Sequence, residues 1–95
     1  MYNKEQFLND FKGSRIRNII TFCNDREEFF PFDELFNLVN EKAKQHYIKK
    51  GIKNSQGHPS ETKGDIIYFI KMGYLIADPK KGLKRNPNFI PRNQK

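Results

Sequence analysis

What most constrains this chain is a change of period at Gly73. Before it, Ile66, Phe69 and Ile70 recur at the spacing of one helix face. After it, Tyr74-Leu75-Ile76-Ala77 is a short continuous apolar run that suits a strand. A glycine at the junction supplies the left-handed residue on which many helices end. Asp78-Pro79-Lys80-Lys81-Gly82 then reads as a five-residue turn, and residues 83–90 as a returning, proline-interrupted strand. Helices come first and a two-stranded hairpin last, so the pattern predicts a mostly helical α+β fold.

The upstream segments fit that order. Residues 4–11 read as a short helix with Phe7, Leu8 and Phe11 on one side, interrupted by Gly13-Ser14, where Ser14 is a candidate cap. Residues 15–24 place Ile16, Ile19, Ile20 and Cys23 on one helical stripe. Asp25-Arg26-Glu27-Glu28 is a polar turn or frayed helical end. Phe29-Phe30-Pro31-Phe32 should be extended, because a residue before proline is pushed out of the helical region. Asp33 is a candidate N-cap and Glu34 favours a first helical turn through the helix dipole. Leu35, Phe36, Val39, Ala43 and Tyr47 line the helix that follows, to about Lys49, and Gly51 stops it. Residues 50–58, with two glycines and one apolar side chain, read as a mobile loop. Pro59-Ser60 opens a third helix reaching Met72, and residues 91–95 read as a disordered tail.

Ninety-five residues fit one domain, and nine Phe and four Tyr give its small core large area per residue. The single cysteine excludes an internal disulfide and a cysteine-based zinc site, and Cys23 reads as a small core residue. No apolar run approaches the ~20 residues that span a bilayer, and the first residues lack a signal peptide's apolar stretch, so a cytoplasmic protein is expected. Charge is divided unevenly. Residues 1–41 carry five basic and eight acidic side chains, residues 42–95 thirteen and three, balances of −3 and +10. One face turned toward a polyanion would account for the split; a solvated lysine-rich surface is the alternative.

The order of elements, helix, short strand, helix, loop, helix, hairpin, resembles that of the winged helix-turn-helix DNA-binding superfamily. The resemblance covers residues 15–90 and rests most on Ser60-Glu61-Thr62-Lys63-Gly64-Asp65-Ile66-Ile67-Tyr68-Phe69-Ile70-Lys71-Met72-Gly73-Tyr74-Leu75-Ile76. A polar first turn leads there into apolar residues and a Gly-aromatic-apolar exit, as in a recognition helix and its first wing strand. The sequence departs from the tight form of the motif in the roughly ten-residue connection before Ser60, where 3–4 residues are usual. The resemblance implies a winged-helix domain at residues 13–90, with a three-helix core and a C-terminal hairpin wing, preceded by an extra short helix within residues 1–12.

What it implies for function is a small DNA-binding protein, a transcriptional regulator reading duplex DNA with helix 60–72. Ser60, Thr62, Lys63 and Tyr68 are the outward candidates in the major groove, while Ile66, Phe69, Ile70 and Leu75 anchor the helix. Gly64 permits close approach of backbone, either to a nucleic acid or to a neighbouring helix. In the basic wing 78–86, Lys80, Lys81, Lys84 and Arg85 are the candidates for phosphate or minor-groove contact, with Arg85 the preferred inserter. Lys49, Lys50 and Lys53 add candidate backbone contacts. Glu61 and Asp65 oppose phosphate unless they face away or accept from a cytosine amino group. A homodimer through Phe7, Leu8 and Phe11 would pair with two-fold DNA sites.

Chemistry of other kinds lacks its residues. His46 and His58 do not have metal-ligand spacing, a loop histidine reads as solvated, and no phosphate loop, nucleophile elbow or carboxylate pair occurs. Neither an enzyme nor a cofactor or metal is expected. Two rivals to DNA binding stay open. One is the same fold as a protein-interaction module, such as a phage- or plasmid-encoded adaptor or inhibitor. The other is an RNA-associated basic protein, which would lack the aromatic strand motif of an RNA-reading sheet.

Overall fold

The computed structural model describes residues 4–9 and 13–89. Its elements are α1 (Lys4–Asn9), α2 (Ser14–Asn24), α3 (Phe32–Lys49), α4 (Pro59–Lys71), β1 (Leu75–Asp78) and β2 (Gly82–Arg85). The chain is thus a mostly helical α+β fold with a two-stranded antiparallel hairpin. No helix among the described residues is long and apolar enough to cross a membrane. The tail at 91–95 and Phe11 lie outside the described residues.

Helix ends follow their local chemistry, with two corrections. Helix α2 begins at Ser14 itself, with extended Gly13 as its N-cap, and α3 begins at Phe32 after an extended Pro31. Neither Ser14 nor Asp33 is therefore the capping residue. Asp33 and Glu34 lie inside the first turn of α3, where their charge meets the positive end of the helix dipole. Both long helices close alike at glycine. After α3, the Gly51 N–H donates to the Ile48 carbonyl (3.0 Å) and the Ile52 N–H to that of Tyr47 (3.0 Å). After α4, Gly73 donates to Ile70 (3.1 Å) and Tyr74 to Phe69 (3.0 Å). With φ of +96° and +91°, Gly51 and Gly73 hold the left-handed residue of these Schellman closures.

The stripe read on α2 is the centre of the core: Ile19, Ile20 and Cys23 are buried against Leu35 and Val39 of α3 and Ile66 and Phe69 of α4. An aromatic cluster closes one end. Phe7, Phe69 and Phe89 surround the fully buried Tyr74, with ring centroids 5.2, 5.4 and 5.4 Å from it, and the Tyr74 hydroxyl points to the Ile20 carbonyl (3.5 Å). Phe7 therefore belongs to this chain's own core, and a dimer built on its exposure loses its main anchor. The reason is that the helical stripe of α1 faces α2 and the hairpin exit rather than solvent.

The short extended stretch before α3 is real and reaches the hairpin. Phe30 and Leu83 form an antiparallel bridge in which each N–H donates to the other's carbonyl at 2.8 Å. Gly82 makes this approach feasible: its φ is +98°, and a Cβ there would lie 2.2 Å from the Phe30 carbonyl oxygen. The second strand stops at Arg85, short of the expected residue 90, because Asn86-Pro87 turns the chain. Asn86 secures that turn, its N–H donating to the Tyr74 carbonyl (2.8 Å) and its side-chain amide to that of Gly73 (3.0 Å).

Residues 50–58 are tied down rather than loose. The Asn40 amide donates to the Gln56 carbonyl (3.1 Å), and its oxygen accepts from the His58 N–H (2.8 Å). Gly57, at φ +73°, lies so close to Asn40 that a Cβ would meet its Oδ1 at 2.6 Å. The connection of residues 50–58 thus runs as a strap across α3.

Candidate nucleic-acid interface

Helix α4 divides by its 3.6-residue period into two faces. Thr62, Ile66 and Phe69 are buried, whereas Ser60, Lys63, Gly64, Ile67, Tyr68 and Lys71 form one exposed stripe. Ser60, Lys63 and Tyr68 thus stand where expected; Thr62 does not. Its side chain is 0% exposed, one turn before Ile66 on the same inward face, and its Oγ1 has no hydrogen-bond partner. Lys71 and Ile67 were missed, although Lys63, Ile67 and Lys71 follow one another at intervals of four and share the stripe. Space beside Gly64 is open, with nothing within 4 Å of where its Cβ would stand, which removes close helix packing as its role.

The two acidic residues of this helix differ in placement. Asp65 turns toward α2 and pairs with the Arg15 Nε, both half-buried. Glu61 is exposed at the flank, its carboxylate 3.8 Å from the His58 Nδ1. The stripe thus presents two lysines, with the Glu61 carboxylate at its edge beside Tyr68.

In the hairpin the pairs are Leu75 with Arg85, Ile76 with Lys84, Ala77 with Leu83 and Asp78 with Gly82. The turn is three residues, Pro79-Lys80-Lys81, rather than five. Asp78 shapes it: one carboxylate oxygen accepts from the N–H of Lys80 (2.8 Å) and of Lys81 (2.9 Å). The backbone N–H of Lys81, then that of Lys80, holds the Asp78 carboxyl below its ordinary range. Lys80 and Lys81 are exposed at the tip. The Lys81 and Lys84 ammonium groups each stand 5.6 Å from the centre of the Phe29 ring, a cation–π arrangement that holds the two charges on one side of the hairpin. Phe29 escaped the sequence reading because only the folded register brings it beneath these lysines.

Arg85 does not stand at the tip. Directly paired residues share a face, so Arg85 shares the inward face with buried Leu75 and Leu83. It is half-buried, and its charge is felt at the Cys23 thiol, which excludes it as an inserting residue of the hairpin. Lys49, Lys50 and Lys53 are exposed at the far end of α3.

Burial pushes the Cys23 thiol up to about 12, against the smaller opposing pull of Arg26 and Arg85. His58 is half-buried and hydrogen-bonded through Nε2 to the Tyr47 hydroxyl, not solvated as a loop histidine was expected to be. Among the described residues no group of three His, Cys, Asp or Glu is placed to hold a metal ion. Comparison of the chain with protein-family models, with curated proteins and with solved structures gives no match.

Proposed function

We propose that this chain is a small DNA-binding protein of the winged helix-turn-helix type, a transcriptional regulator that lays α4 in the major groove and its hairpin on the backbone. The observation that supports this best is the exposed stripe of α4. Ser60, Lys63, Gly64, Tyr68 and Lys71 present short, polar or cationic groups on a helix anchored by Thr62, Ile66 and Phe69, while Asp65 is turned into Arg15. A helix with an open glycine and two lysines on its outer face, with a single carboxylate, Glu61, at the edge, suits a groove lined by phosphates. Lys80, Lys81 and Lys84 add cations from a second element, where they serve affinity rather than sequence choice.

Selection of random duplex DNA at near-physiological salt tests the reading. An enriched motif is expected, and a palindromic one would imply two copies per site. A salt series adds a quantitative check. Each phosphate neutralised contributes about 0.9 to the slope of log affinity on log salt, so replacing Lys80, Lys81 and Lys84 together by Ala should flatten that slope by about 2–3. Absence of any retained DNA would sink the proposal. The alternative reading, a protein-interaction module, is favoured by one observation: Ile67 (38% exposed), Tyr68 (52%) and Ile76 (39%) are large apolar side chains left uncovered.

A further inference from the structure

A separate feature lies on the other side of Asp65. Arg15 and Asn18 of α2, Lys42, His46 and Tyr47 of α3, and His58 at the end of the strap line a cleft of about 350 Å³. Its floor is apolar, made by Val39 and Ala43. No carboxylate lines it. Six polar side chains from three elements converge there; Tyr47 and His58 are hydrogen-bonded to each other, and Arg15 and Lys42 are permanently cationic. Arg15 is set in place by Asp65 through Nε, and His58 by the Tyr47 hydroxyl and by Asn40, which accepts from its backbone N–H. Lys42 makes no ion pair among the described residues. The walls are thus positioned before any ligand arrives; Asp65 and Glu61 stand behind Arg15 and His58, while Lys42 presents its charge without an ion pair among the described residues.

We propose that this cleft binds a small organic phosphate, with Arg15, Lys42 and His46 around the phosphoryl group, His58 forming a wall, and Val39, Ala43 and the Tyr47 ring beneath its carbon portion. A tetrahedral oxyanion accepts donors from several directions at once, which is the arrangement α2 and α3 offer. The volume lies at the small end of the range for ligand pockets and suits a sugar phosphate better than a nucleotide. The strap that forms one wall runs directly into Pro59 and α4, so an occupant would touch the segment that fixes where α4 begins. Binding at this cleft does not depend on the chain's binding DNA.

The test is an NMR titration of the full chain, at constant ionic strength, with inorganic phosphate, glucose 6-phosphate, glucose and succinate in turn. Saturable shifts are expected at the ring protons of His46, Tyr47 and His58 with both phosphates, tighter for the sugar phosphate, and none with glucose. Lys42→Ala, an exposed position, should weaken the sugar phosphate by about tenfold, the loss of one charge-assisted hydrogen bond. Arg17→Ala removes a positive charge from an exposed position outside the cleft and should leave the sugar-phosphate affinity unchanged. Equal weakening by both variants, succinate binding as tightly as the sugar phosphate, or shifts that never saturate would each overturn the proposal. Displacement of the phosphate by duplex DNA, with protection of the same rings, would instead make the cleft a backbone contact and overturn it as a small-molecule site. Loss of DNA retention in the selection experiment leaves all these outcomes readable.

Discussion

Replacing Thr62 by Val should stabilise the domain. The side chain is 0% exposed and its hydroxyl has no partner, so folding strips that oxygen of water and returns nothing. In protein mutational series such burial costs about 1–3 kcal/mol. Valine has nearly the same shape, carries a methyl where the hydroxyl was, and ranks with threonine in helix propensity, so little else changes. A gain of about 1–2 kcal/mol is expected. With a urea slope of about 2 kcal/mol/M, the midpoint should rise by roughly 0.5–1 M with the slope unchanged. Thermal unfolding should shift upward by about 4–8 °C per kcal/mol. Thr62→Ser, which keeps the oxygen and loses the methyl, should move both quantities the other way. Affinity for any selected DNA should be unaltered by either change, since the side chain points away from the exposed stripe. A valine variant less stable than the parent would refute the reasoning, for it would show that the hydroxyl has a partner. Loss of DNA affinity at unchanged stability would return Thr62 to the outer face.

Other expectations follow from single positions. Because burial raises the Cys23 thiol from an ordinary 9.0 to about 12, the unfolded chain loses that proton first as pH rises. This term is therefore absent below about pH 9 and should lower stability by up to about 1.4 kcal/mol per pH unit between 9 and 12. Chemical denaturation of the parent and of Cys23→Ala across that range isolates it, and parallel curves would contradict it. Native Cys23 should also resist thiol reagents at pH 8, reacting only as fast as the domain opens. Gly82→Ala combines a left-handed backbone, about 1–2 kcal/mol for an L residue, with a clash against the Phe30 carbonyl. It should cost at least about 2 kcal/mol in thermal unfolding, and a neutral result would mean the bridge is not formed. Asn40→Ala removes two of the strap's ties to α3 and leaves the Tyr47–His58 bond. Protease cleavage near Lys53 should accelerate severalfold while the core stays folded, and unchanged cleavage would show the strap held by something else.

Much of this architecture was legible because it is written at short range. The stripe of Ile16, Ile19, Ile20 and Cys23, the glycine closures at Gly51 and Gly73, and the switch to a strand after Gly73 each depend on neighbours within one or two turns. Three features were not. The inward turn of Thr62 needed the apolar face of α4 to be continued one turn upstream through a polar residue, against what hydropathy suggests. Charge marks Arg85 as a wing cation, but it pairs with Leu75 and lies two positions from buried Leu83, so it shares their inward face whichever loop length is taken. The order of residues 50–58 comes from Asn40, eighteen positions from the His58 it holds. No local pattern announces such a pairing. Of the expected interface, Ser60, Lys63, Tyr68, Lys80, Lys81 and Lys84 remain at the surface, joined by Lys71 and by Phe29 beneath two of the lysines.

The bridge between Phe30 and Leu83 bears on the order in which the chain assembles. Its two hydrogen bonds close a loop containing both long helices and the strap between them. A hairpin forms by itself within about ten microseconds, but it cannot dock until α3 and α4 have packed and brought these distant residues together. Closing so long a loop is costly in entropy, so docking is expected late in folding. Interactions formed that late leave the folding rate nearly untouched and set the lifetime of the native state instead. The junction works as a latch: loosening it would shorten how long the molecule stays folded without changing how quickly it folds.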